Sequence, residues 1–181
     1  MIVHSSIDEN GKAHGGKVGD QTGREVYTRS WYSKPWGLMI RWTKDPSIGK
    51  KAVEIAIKLA NSNLVGYDQY ERNTLYKALK AVNWDVDAYI KSGKKTESDC
   101  SSFVYACYAC LLPSIRSDAT APRTGTMRAD YKKFGFTIYT ESKYLTGESY
   151  LLPGDILVKE NSHTVMETAT GSKATVSTPT P

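Results

Sequence analysis

The sequence is short of several residue types that usually announce a function. Of its 181 residues only three are cysteine, three histidine and three phenylalanine. A small, odd cysteine count argues against a disulfide framework. Cys107 and Cys110 form a C-x-x-C pair inside an apolar helical run, and no two further ligands are spaced to complete a zinc site. They read as small core side chains, and neither a metal nor a cofactor is expected. No run of lysine or arginine exceeds two residues and no nucleic-acid-binding motif is present, so nucleic acid is not an expected partner. The opening residues Met1 to Asn10 carry neither a basic start nor an apolar stretch. No signal peptide and no membrane insertion is therefore expected, and synthesis in the cytoplasm follows. The glycines between Gly11 and Gly23 do not stand in a strand–GxGxxG–helix or a GxxxxGK[ST] frame, which excludes a nucleotide site.

What is present fits one soluble domain with a sizeable core: 40% hydrophobic and 24% charged residues. Twelve tyrosines and four tryptophans dominate the aromatic set, and such amphipathic rings suit binding surfaces as well as cores. The net charge of +5 favours an anionic partner such as a bacterial wall polymer.

Residues 1–30, rich in Gly, Asp, Asn and Lys, read as loop and turn. His4 and His14 fall there and are expected on the surface. Trp36, Leu38, Ile40 and Trp42 alternate as in a strand, and Trp31 and Tyr32 before them are candidates to line a groove. Asp45-Pro46 is a helix start, followed by apolar residues on one face over 46–61. Further helices are expected over about 70–82, 84–90, 99–112 and 126–133. Strands are expected over 134–139, 155–158 and 163–167, with 174–176 returning as a hairpin. Helices first and strands after give an α+β domain. Ser177 to Pro181 reads as a Thr/Pro linker, from which the natural chain is expected to continue.

Cys100 lies in the first turn of the helix opened by Ser98-Asp99, where backbone N–H groups and the helix dipole favour a thiolate. A cysteine nucleophile needs a base in hydrogen-bond reach. His163, at the start of a strand, is the candidate.

Three ordered motifs, Asp99-Cys100-Ser101-Ser102-Phe103-Val104, Leu152-Pro153-Gly154-Asp155-Ile156-Leu157 and Ser162-His163-Thr164-Val165, resemble those of the NlpC/P60 cysteine peptidases. The Gly15–Val26 and Tyr67–Tyr70 stretches resemble the N-terminal extension of phage and prophage members that hydrolyse peptidoglycan. The resemblance implies a papain-like fold in a single catalytic domain over 1–176, with 1–45 as an N-terminal extension, acting as a monomer. It implies an endolysin that cleaves an amide bond of the wall's stem peptide after release to the wall. Cys100 and His163 would be catalytic, and Asp99 and Ser101 would bind the peptide. Ser102 departs from the family's usual glycine. No third polar residue can be placed in the family's position: Glu167 lies roughly 13 Å beyond His163 along an extended strand. Thr175, Ser177, Glu160, Asn161, Asp20 and Glu25 are the other candidates. The same Cys/His pair would also serve an N-acetylmuramoyl-L-alanine amidase, and a wall-binding module without catalysis is the reading from another class.

Overall fold

The computed structural model describes residues 1–175. Its centre is a six-stranded, fully antiparallel sheet of β1 (Ile2–Ser5), β2 (Val26–Arg29), β3 (Leu38–Arg41), β6 (Thr137–Tyr139), β7 (Ile156–Lys159) and β8 (His163–Glu167). Their order across the sheet is β2-β1-β8-β7-β3-β6. A separate parallel pair joins β4 (Val65–Tyr67) to β5 (Thr96–Ser98). Among the described residues five α-helices complete the fold: α1 (Pro46–Ser62), α2 (Thr74–Ala81), α3 (Val86–Ser92), α4 (Cys100–Ala109) and α5 (Met127–Phe134). The mixture is α+β.

Strand alternation divides the sheet into two faces. Val3, Val26, Leu38, Ile40, Ile156, Val158 and Met166 join the main core with the helices. Ile2, Met39, Leu157 and Val165 point the other way, into a smaller cluster closed by Trp36 and Leu151. All ten residues of α4 are buried, so its apolar run is a central helix rather than an amphipathic one. In α1, Gly49, Ala52, Val53, Ala56, Leu59 and Ala60 recur on one buried face. Asp45 caps it by accepting the Ser47 N–H at 3.0 Å, and Asn63 ends it in the left-handed conformation.

The small residues of α1 allow close approach to the turn before β7. Gly154 there has φ of 91°, and a Cβ on it would collide with the Gly49 backbone. Only glycine fits both demands. The Asp155 carboxylate accepts two bonds from Arg41, at 2.8 and 2.7 Å, and one from the Leu152 N–H at 2.7 Å. The Pro153-Gly154-Asp155 motif is thus a structural clamp.

Several expectations need correction. Three strands precede the first helix, because the 1–30 segment is not all loop. Ile2–Ser5 lies inside the sheet between β2 and β8, and Val26–Arg29 pairs beside it. The short β4/β5 pair was not expected, because Thr96, Glu97 and Ser98 are polar yet buried. Gly135, at φ of 100°, ends α5 and delays β6 to Thr137. Ala174 and Thr175 form no strand, and Val176 and the 177–181 linker lie outside the described residues.

Candidate active site

The β1–β8 ladder covers only Ile2↔Glu167 and Val3↔Met166. Nearer the start of β8 the two strands share no further pairs, and the N-terminus of α4 enters there. The Thr164 and Ser101 backbone N–H groups lie near the Cys100 sulfur and favour its thiolate. The start of α4 thereby lies beside Thr164, the residue that follows His163 on β8. On the β1 side, Ser98 Oγ donates to Ser5 Oγ at 3.0 Å, tying the approach to α4 to the end of β1.

The start of α4 is built for rigidity. Asp99 accepts the Ser102 N–H at 2.9 Å, and Ser102 Oγ accepts the Asp99 N–H at 2.9 Å. This reciprocal capping box gives Ser102 a function that glycine lacks. Behind it sits Arg72, only 3% exposed. Its five N–H donors are all satisfied: Nε by Asp99 at 2.7 Å, Nη1 by Thr120 Oγ1 and the Ala121 carbonyl, and Nη2 by Ser101 Oγ and the Pro122 carbonyl. Asp99 and Ser101 are therefore buried braces of the helix start. Nothing in the sequence around Arg72 points to this place, since its partners lie 27 to 50 residues away.

A polar partner for the His163 ring comes from an unexpected part of the chain. His4 Nδ1 lies 2.9 Å from His163 Nε2, leaving His163 Nδ1 as the ring nitrogen free of His4. His4 is 2% exposed, not a surface residue, and packs against the Tyr27 ring at 5.1 Å. Four of the candidates named for this place are engaged elsewhere, and Ser177 lies outside the described residues. Glu160 pairs with Arg128, Glu25 accepts the Gln21 and Tyr67 N–H groups, and Asp20 organises the 22–26 turn. Glu167 accepts from Thr168 and Ala169 and faces the Met1 amine. The signal for His4 in the sequence was a four-residue strand whose partner lies 159 residues on, which local periodicity cannot link. His14 is exposed, stacked on Tyr70.

Tyr32 packs beside the His4–His163 pair: its ring centroid is 6.2 Å from that of His4, and the Arg29 guanidinium lies over the Tyr32 ring, 4.3 Å from its centroid. Trp36 lies 6.5 Å from His163. Trp31 packs on the same small cluster as Tyr32 and Trp36. Tyr67 is buried near the Cys100 sulfur, and its hydroxyl accepts from Gln69 Nε2 at 3.0 Å.

Burial dominates the electrostatics. The Cys100 thiol is pushed up to about 12 by desolvation and by Asp99, and the Thr164 and Ser101 N–H groups only partly oppose this. The expected lowering by the helix start is outweighed, because the sulfur is buried. His163 is held down at about 4 by burial and by the Lys34 and Arg29 charges. His4 is held at about 3 by burial, by His163 and by the same two cations. At neutral pH all three groups are uncharged. Among the described residues no three His, Cys, Asp or Glu side chains are grouped to hold a metal ion, and no helix is long and apolar enough to cross a membrane.

The family model of the endolysin-like domain matches residues 2–174, and the chain belongs to that family. An endolysin-like domain fits a hydrolase acting on cell-wall peptidoglycan. No curated protein and no solved structure matches the chain.

Proposed function

We propose that this endolysin-like domain hydrolyses an amide bond of the peptidoglycan stem peptide through a cysteine–histidine mechanism of the NlpC/P60 type. The observation that supports the reading is Cys100 at the start of α4, near the backbone of Thr164, together with His4 Nδ1 at 2.9 Å from Nε2 of the preceding residue, His163.

The resting pair is neutral, so attack and proton transfer proceed together. The Cys100 sulfur bonds to the amide carbonyl carbon while its proton passes to His163 Nδ1. For Nδ1 to accept, His163 carries its own proton on Nε2 and donates it to His4 Nδ1. His4 is a neutral orienter, which holds the tautomer without the charge stabilisation that a carboxylate gives. The Cys100 N–H, at the first position of α4, and the Tyr67 hydroxyl, whose proton is not used in accepting from Gln69, receive the oxyanion in this reading. The C–N bond then breaks and Nδ1 protonates the leaving amine. Water attacks the thioester with its proton going to His163, and the thiol is restored.

The test is digestion of purified peptidoglycan by the protein and by Cys100→Ala, with fragments read by mass spectrometry. Cuts within the stem peptide, absent with the variant, are expected. Intact stem peptides freed from the glycan would move the assignment to an amidase with the same pair. Equal products from wild type and variant would refute Cys100 as nucleophile. Binding to walls without any cleavage would instead support a binding module.

A further inference from the structure

Two cations act on the histidine pair, and neither forms an ion pair among the described residues. Arg29 closes β2, one strand from His4, and is paired in register with Ile2. Its guanidinium covers the Tyr32 ring at 4.3 Å, and Tyr32 in turn lies 6.2 Å from His4. Lys34 stands in the loop between β2 and β3, and its charge acts on both His4 and His163. The ion pairs of the described residues draw on Arg41, Lys58, Arg72, Lys80, Arg128 and Lys143, and leave Arg29 and Lys34 out. The same loop holds another unused donor, the buried Trp31 Nε1–H.

Positive charge in this place works against catalysis by the chain alone, because it disfavours the imidazolium that His163 must become. An anion on the substrate removes that opposition. We propose that Arg29 and Lys34 form a carboxylate-recognition site beside Cys100 and His163, so that the preferred substrate is a stem peptide with a free carboxylate next to the scissile amide rather than its carboxamide. The inference rests on the peptide-hydrolase reading above. It adds a coupling of binding to chemistry: the bound carboxylate offsets the two cations and raises the proton affinity of His163 as the thiol proton arrives. A guanidinium held flat over an aromatic ring keeps its N–H edge free for a carboxylate, which favours Arg29 as the directional member and Lys34 as the point charge.

The test uses two synthetic stem peptides that differ only in carboxylate against carboxamide at the residue flanking the scissile bond. Wild type is expected to favour the acid by about 10- to 100-fold in kcat/KM at low salt, and by less as salt rises. In Arg29→Gln/Lys34→Gln the ratio is expected to fall to within about twofold, and in Arg29→Lys to lie between, since lysine keeps the charge without the fork. Equal use of both peptides by wild type, or an unchanged ratio in the double variant, overturns the proposal. A parallel titration of both peptides into Cys100→Ala reads affinity without turnover. If wild type cuts neither peptide, the peptide-hydrolase reading fails. The titration then still decides: preference for the acid that is lost with Arg29 and Lys34 changed supports the carboxylate site, and equal affinity overturns it.

Discussion

Two buried arginine–aspartate pairs brace this domain, and they hold different things. Arg72 grips Asp99 at 2.7 Å and gives its other four donors to Ser101, Thr120 and the carbonyls of Ala121 and Pro122. Arg41 grips Asp155 at 2.7 Å, bonds the Tyr150 carbonyl and lies against Tyr139 and Tyr144. The first ties the residue before Cys100 to a distant loop. The second ties the turn before β7 to β3, away from the sulfur. Both aspartates belong to the motifs legible in the sequence, yet neither is free at an open cleft. A buried pair that loses one partner leaves an uncompensated charge, so both should matter for stability. Only the first should matter for chemistry beyond stability.

The largest separation is expected from Arg72→Met. It should cost about 3–5 kcal/mol of stability, by leaving Asp99 buried and alone. It should also lower kcat about 100-fold or more in the molecules that remain folded, by loosening the start of α4. Chemical denaturation and single-turnover assays below the unfolding transition separate the two. Arg41→Met should also destabilise by about 3–5 kcal/mol, yet leave kcat per folded molecule within about threefold. A large loss of kcat with Arg41→Met would break the contrast.

His4→Asn sharpens it from the site side. Asparagine retains one polar atom for His163 but not the ring, and kcat should fall about 10- to 100-fold with little change in melting temperature at neutral pH. The same variant carries a pH signature. His4 and His163 sit at about 3 and 4 in the folded chain, below the ordinary histidine value of 6.5. Their contribution is therefore complete above pH 6.5 and is lost as pH falls toward 4 and then 3. His4→Asn should make the stability curve shallower across that window. An identical acid limb would show that His4 is not buried as a neutral ring.

The smallest effect lies at β5. Glu97 is pushed up to about 8 by burial and by the nearby Glu25 and Asp68 carboxylates. A raised value means that stability is complete below the unfolded pKa of 4.5 and declines as pH rises through 8. Glu97→Gln should remove that decline, a gain on the order of 1–2 kcal/mol at pH 9, with activity unchanged at pH 6. Parallel curves for variant and wild type would refute the assignment.

The sequence by itself determined what is local. Asp45-Pro46 starts α1 through a side-chain cap and a preset φ, and Asp99 starts α4 through a capping box with Ser102. The apolar run after Cys100 specified a helix, and the periodicity around Val165 a strand. It also placed Cys100 at a helix start and His163 at a strand start, because both depend on residues within one turn. Only the tertiary structure decided what joins across the chain. It brought β1 to the middle of the sheet, which turned His4 from a presumed surface residue into the partner of His163. It set Arg72 behind Asp99, which makes that aspartate a brace of the helix start. It also buried the Cys100 sulfur, so that desolvation outweighs the helix start and the thiol rests protonated. Propensity and capping act over a few residues, whereas burial and pairing depend on whichever distant segment arrives.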